Sequence, residues 1–197
     1  RVLGARVVIE ADPEPPAPDR SLLVLARHAG AGDSFLIIDT LLWEYGREPR
    51  IVLKDTLQWD PAIDTVLNRL PNRFISPNPG HTGDVVAARI EELASHLDDN
   101  DALVIFPEGG NFTPARRQRA IARLRRRGHD RAADRAERMR HVLAPRPGGA
   151  TAALRAAVDA DALLVVHTGL ERLSSMRDLW RGLPMDREVR LRCWRVP

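Results

Sequence analysis

Short, continuously apolar runs recur along the chain, separated by stretches in which polar and apolar positions alternate with helical spacing. Leu22-Leu23-Val24-Leu25-Ala26 and Ala102-Leu103-Val104-Ile105-Phe106 contain no polar residue, which is the pattern of a strand covered on both faces in a parallel sheet. The first half of the chain predicts a strand over 6–11, a proline-rich surface crossing over 13–18, a strand over 22–26, a helix over 34–45 and a strand over 50–54. A helix over 61–69, a short strand over 73–75, a helix over 83–97 and a strand over 102–106 follow. The second half predicts a long arginine-rich helical region over 114–143, a helix over 149–157, a strand over 162–167 and a final strand over 189–196. This alternation specifies an α/β fold, a single domain over 1–197 with a mostly parallel central sheet flanked by helices.

Two helix starts carry their own punctuation. Thr113-Pro114 places an N-cap residue before a proline at the first helical position. Pro145-Arg146-Pro147-Gly148-Gly149 stops the preceding helical pattern. A helix opening at Gly149 offers backbone N–H groups to an anion, although a plain interhelical turn is the commoner use of such a glycine pair.

At 197 residues and 44% hydrophobic the chain is long enough to bury a sizeable core. It opens at Arg1, close to a strand, so a domain trimmed at its N-terminus is expected. The single cysteine, Cys193, excludes an intrachain disulfide framework and favours a reducing, cytosolic setting; within its strand it is expected to be inert. No apolar run approaches the roughly eighteen residues of a membrane-spanning helix, and no signal-peptide pattern is present. Lys54 is the only lysine; the reliance on arginine suggests a GC-rich bacterial genome. The formal charge is +3, but from Arg116 to Arg140 arginines face only Asp130, Asp134 and Glu137.

The candidate chemistry lies at the carboxyl ends of two predicted strands, where open α/β sheets keep their sites. Arg27-His28-Ala29-Gly30-Ala31-Gly32-Asp33 follows the first strand and Phe106-Pro107-Glu108-Gly109-Gly110-Asn111-Phe112 the second. On one continuous helix, residues five apart point about 140° away from each other, so His28 and Asp33 can cooperate only through a turn. Gly30 and Gly32 permit that turn. Asp33 then falls at a helix start with its carboxylate free to fold back to the imidazole, where it fixes the tautomer and leaves the other ring nitrogen as a base. The bland alternative is an N-cap aspartate beside a structural histidine.

Together, His28-x4-Asp33 and Phe106-Pro107-Glu108-Gly109 resemble the glycerolipid acyltransferase family, which includes the lysophosphatidic acid and glycerol-3-phosphate acyltransferases. The resemblance runs from about Leu22 to Gly169. Lys54 resembles the lysine of the family's Lys-x-Glu-Leu segment, with Thr56 in place of glutamate. Arg73-Phe74-Ile75 resembles part of its Gly-x-x-Phe-Ile-x-Arg motif. The departures bear on the acceptor: Ser76-Pro77 follows where an arginine is usual, Gly110-Asn111 replaces Thr-Arg, and His167 replaces proline.

What the resemblance implies is a glycerol-3-phosphate acyltransferase-like fold and direct acyl transfer. His28 and Asp33 would be catalytic. Glu108 would bind an acceptor hydroxyl or brace its loop, with Gly109, Gly110, Asn111, Lys54, Arg73 and Arg116 binding substrate. Lys54, Arg73, Arg116 and Arg117 are the cations placed to compensate for the two missing arginines. Backbone amides at 28–33 or at Gly109-Gly110 are candidate oxyanion donors. No cofactor is implied; the acyl donor, on coenzyme A or acyl carrier protein, is a co-substrate, and the acceptor is a lipid hydroxyl. No metal is implied either, since the histidines at 28, 81, 96, 129, 141 and 167 have no recognised ligand spacing.

The setting implied is the cytoplasmic face of a bacterial membrane, peripheral or anchored by a segment absent from this sequence, with an anionic lipid surface and acyl carrier protein as partners. The arginine-rich stretch supplies a face for either. It lacks aromatic residues for stacking on bases, so no nucleic-acid partner is expected. Two other readings stand beside this one: a non-catalytic arginine-rich binder on the same fold, and a serine esterase using Ser34 in Gly32-Asp33-Ser34-Phe35. The second lacks the late Asp-x-x-His that such enzymes need.

Overall fold

The structure, a computed structural model, describes residues 5–10, 16–30, 32–54, 73–75, 83–171, 178, 181–182, 184 and 188–196, with the backbone alone at 52–54, 73–75 and 83. Its strands are β1 (Arg6–Glu10), β2 (Leu22–Ala26), β3 (Glu48–Lys54), β4 (Arg73–Ile75), β5 (Asp101–Ile105), β6 (Asp161–Thr168) and β7 (Glu188–Val196). Its helices are α1 (Gly32–Trp43), α2 (Gly83–Ala94), α3 (Pro114–Arg126), α4 (Asp130–Arg138) and α5 (Pro147–Ala156). The predicted helix over 61–69 and the segment Ser76-Pro77 lie outside the described residues.

The strands form one seven-stranded sheet in the order β1-β7-β6-β2-β5-β3-β4. β6, β2, β5, β3 and β4 run parallel, while β7 is antiparallel to β6 and β1 is parallel to β7. The sheet is therefore mostly parallel, with a reversed pair at one edge. β2 and β5, the most continuously apolar strands, occupy its middle. Successive side chains of β2 feed two cores: Leu22, Val24 and Ala26 meet Leu36, Ile37 and Leu41 of α1 on one face. Leu23 meets Ile90 and Leu93 of α2 and Ala153 of α5 on the other.

The arginine-rich helical region predicted over 114–143 is a helical hairpin, α3 followed by α4. Arg127 closes α3 as its C-cap, and Gly128 follows at φ +71°, a backbone state that ends a right-handed helix and suits glycine. The apolar residues Ile121, Leu124, Ala132, Met139 and Val142 of this region are half-buried, and only Ala133 and Ala136 of α4 are fully covered. The last helix opens at Pro147, so Gly149 sits inside it. There it lets α5 approach α2: a Cβ at Gly149 would stand 2.6 Å from Ile90 Cδ1. Its position inside α5 supports close packing of the two helices, in place of the plain interhelical turn expected of that glycine pair.

Beyond β6, Gly169 turns the chain at φ +103°, where an added Cβ would lie 2.7 Å from the Glu188 carbonyl oxygen and 3.2 Å from Val189 Cα. Neither neighbour is a side chain able to swing away. Gly169→Ala is expected to cost about 1–3 kcal/mol of stability, read as a lowered midpoint in chemical denaturation at unchanged slope.

Candidate active site

β2 ends in the centre of the sheet, between β6 and β5, and the chain leaves it under close control. Arg27 N–H continues the ladder to the Val165 carbonyl at 2.9 Å. His28 is then gripped through both main-chain groups: its N–H donates to Glu108 Oε1 at 2.8 Å, and its carbonyl accepts from Phe112 N–H at 2.8 Å. Its ring lies against Phe106, centroids 4.6 Å apart at 33°. The two motif segments, eighty residues apart in sequence, are thus hydrogen-bonded to each other.

The loop folds back as its glycines allow. Asp33 enters in the first turn of α1, where the helix N-terminus favours a carboxylate. Its Oδ2 accepts from Gly30 N–H at 2.8 Å, from Ala29 N–H, and meets His28 Nδ1 at 3.1 Å. Asp33 is fully buried, whereas the His28 side chain retains 23% exposure. An Nδ1 hydrogen directed at a buried carboxylate leaves Nε2 as the lone-pair nitrogen. Burial pushes the Asp33 carboxyl up, but the neighbouring imidazoles of His167 and His28 and the Gly30 N–H outweigh it and bring it down to about 2.

Glu108 is a second buried carboxylate with a different environment. Oε1 takes His28 N–H and Oε2 takes Leu143 N–H at 2.6 Å, so both oxygens are engaged with main chain. Of the two roles expected of it, bracing the loop is the one this geometry supports. Burial raises its carboxyl above the ordinary range, with the hydrogen bonds from Leu143 and His28 opposing.

The other expected residues are spread around this centre. Gly109 turns at φ +66° with its N–H donated to the Phe106 carbonyl at 3.0 Å; Gly110 follows, buried. Asn111 accepts from the Arg116 guanidinium through its main-chain and side-chain oxygens. Arg117 is tied to the Met139 and Glu137 carbonyls at 2.7 and 2.6 Å, which makes it a clasp of the hairpin and not a spare cation for a ligand. Lys54 and Arg73 stand at the end of β3 and the start of β4; Val52 pairs with Arg73 and Lys54 with Ile75.

Amides at 28–30 are committed to Glu108 and Asp33, so the oxyanion role expected of this loop does not fit those three groups. Ser34 is half-buried in α1. Among the described residues no cluster of three or more metal-ligating side chains occurs.

Two residues near the site escaped the sequence reading. Arg146 donates its N–H to the Pro107 carbonyl at 2.8 Å, and its Cδ and guanidinium carbon lie 3.1–3.3 Å from where a Cβ of Gly109 would be. Partial burial and the neighbouring Arg123 depress its pKa. A lone arginine between two prolines carried no motif to announce it. His167 is completely buried with Nε2 3.3 Å from Asp33 Oδ1. Its signal was the inward alternation Leu163-x-Val165-x-His167 on a strand parallel to β2.

A family model described as Acyltransferase matches residues 8–166, most of the chain. The chain belongs to the acyltransferase family. This membership accords with the glycerolipid acyltransferases that the two motifs resemble, and the α/β architecture of this acyltransferase is consistent with it. Comparisons with curated proteins and with solved structures found no match.

The depressed Asp33 carboxyl links the acyltransferase's stability to pH. A folded-state value near 2 against an ordinary 3.8 stabilises the fold by about 2 kcal/mol above pH 4. That contribution is lost as pH falls through about 2. Asp33→Asn removes this part of the pH dependence, so the stability difference between wild type and variant should shrink on acidification from pH 4 towards 2. Urea titrations at several pH values measure it; a constant difference would mean Asp33 does not titrate in that window.

Proposed function

We propose that this acyltransferase moves a fatty acyl group from a thioester of coenzyme A or acyl carrier protein to a hydroxyl of a lysophospholipid, glycerol phosphate or related lipid, with His28 as general base. The observation that carries the reading is the His28–Asp33 pair: a partly exposed imidazole whose Nδ1 meets a fully buried, multiply hydrogen-bonded carboxylate. His28 Nε2 accepts the hydroxyl proton as the oxygen attacks the thioester carbonyl, and Asp33 stabilises the imidazolium. Collapse of the tetrahedral intermediate breaks the C–S bond, and the imidazolium returns the proton to the departing sulfur. The oxyanion falls to the Gly110 amide, since the neighbouring amides of Gly109 and 28–30 are committed elsewhere. An anionic acceptor would meet Arg146 beside the Gly109 turn; Lys54, at the end of β3, and Arg73, at the start of β4, are the further cations assigned to it.

His28→Ala should reduce transfer by about 10² to 10⁴, or roughly 3 to 5 kcal/mol of barrier, with the fold retained by circular dichroism. Turnover of an acyl thioester near the wild-type rate would refute the assignment. Mass spectrometry after incubation with donor alone should find no acylated peptide containing Ser34, since the mechanism has no covalent enzyme intermediate.

A peripheral position at the cytoplasmic face of a bacterial membrane is supported by two surfaces. On α1, which opens at the site, Phe35, Leu42 and Trp43 are exposed; aromatic and aliphatic side chains on such a helix suit the headgroup boundary. On the hairpin, Asp130, Asp134 and Glu137 all converge on Arg125. Its acids therefore leave exposed Arg119, Arg123, Arg126 and Arg127 uncompensated. Replacing those four with glutamine should weaken sedimentation with anionic vesicles and spare turnover of a soluble short-chain substrate. Wild-type binding should also fade as salt shortens the Debye length from about 10 Å at 0.1 M to about 3 Å at 1 M. Equal, salt-insensitive binding by both proteins would mean the arginines are a solvated face.

A further inference from the structure

The mechanism above gives no task to His167, although this buried side chain is the nearest titratable group behind the catalytic pair. His167 follows Asp161, Leu163 and Val165 among the inward residues of β6. Since Ala26 pairs with Val165 in the parallel β2–β6 ladder, register carries His167 alongside His28. Arg27 and His167 then hold each other reciprocally: the Arg27 guanidinium donates to the His167 carbonyl at 2.5 Å, and His167 Nε2 lies 3.3 Å from the Arg27 carbonyl. The same Nε2 is 3.3 Å from Asp33 Oδ1.

His167 Nδ1 has no hydrogen-bond partner among the described residues. A hydrogen there would be a buried donor without an acceptor, which is costly. The ring's hydrogen therefore sits on Nε2, facing Oδ1 and the Arg27 carbonyl together. The need on the other side is complementary. Oδ2 of Asp33 has three donors, whereas Oδ1 has no aligned one among the described residues. Rotation about the last torsion of an aspartate is soft, so a carboxylate held through one oxygen alone is poorly fixed.

We propose that His167 is a positioning residue for the proton-transfer pair: its Nε2–H, shared between the Arg27 carbonyl and Asp33 Oδ1, holds the carboxylate in the rotamer that presents Oδ2 to His28 Nδ1. The proposal rests on the reading of His28 as base. It concerns this chain in particular, since His167 stands where the resemblance leads one to expect proline, which has no side-chain donor. Asp33 and His167 are both sealed from solvent, so an apolar side chain of similar bulk in place of the imidazole leaves Oδ1 without a donor.

The test compares His167→Gln, whose amide nitrogen reaches the position of Nε2 and still donates, with His167→Leu, which has similar bulk and no donor. His167→Leu should lower kcat about a hundredfold with KM unchanged, as expected of a misplaced catalytic group, and His167→Gln should recover most of that loss. Independently of activity, ring nitrogen NMR of His28, assigned with the His28→Gln protein, should show the Nδ1–H tautomer in wild type and His167→Gln and a mixture in His167→Leu. If His167→Leu does not fold, His167→Asn replaces it, its shorter amide falling short of Asp33. Equal kcat and a single tautomer in the donor-less and donor-bearing variants would overturn the proposal, as would equal losses in both. Failure of the base reading is a separate outcome: His28→Ala would retain activity while the tautomer comparison still tests the link from His167 to Asp33.

Discussion

A buried carboxylate is the demand around which this site is built. Asp33 lies in the interior at the first turn of α1, and an unpaired charge there would cost several kcal/mol of solvation. The chain meets the demand locally, by curling 29–30 so that two amides and the His28 ring converge on one oxygen. The geometry proposed for proton transfer is in this sense a by-product of solvating Asp33. The imidazole is held because the carboxylate needs its donor, and the exposed edge of the ring is what remains for chemistry.

Glu108 shows the same demand answered with fewer means, and the contrast separates two roles. Its oxygens receive one amide each, from His28 and Leu143, and burial prevails, so its carboxyl is raised. Asp33 also has imidazole neighbours on both sides, and its carboxyl is lowered. A group kept ionised beside a base suits the stabilisation of an imidazolium. A group whose oxygens are both spent on main chain suits holding the loops of β2 and β5 and the segment before α5 in one place. The two carboxylates thus divide electrostatics from architecture.

How much of this the sequence disclosed depends on the range of the interaction that determines each feature. β2 and β5 read correctly because a strand buried on both faces must be apolar throughout, and the His28–Asp33 turn read correctly because its glycines and spacing are local. The hairpin at Gly128 was missed since the arginine pattern is helical on both sides, and a single glycine is a weak stop signal. Arg146 and His167 were missed as participants because each is placed by partners more than thirty residues away. The reversed β7–β1 edge was invisible for the same reason: the sense of a strand is settled by its neighbours, not by its own pattern.

His167 gives that lesson its sharpest physical form. Within β6 it is simply the next inward residue after Leu163 and Val165, a place where an aliphatic side chain would satisfy the core. A polar ring is tolerated there only if its N–H finds an acceptor; the Arg27 carbonyl at the end of β2 and Asp33 Oδ1 at the start of α1 both lie 3.3 Å from Nε2. The register Ala26–Val165 is therefore what turns an awkward core residue into a neighbour of the His28–Asp33 pair. A shift of one residue would carry His167 to the face where Leu164 and Val166 are exposed. Strand pairing in the centre of the sheet and the proton transfer proposed at its end are consequently constrained together, through a fully buried side chain.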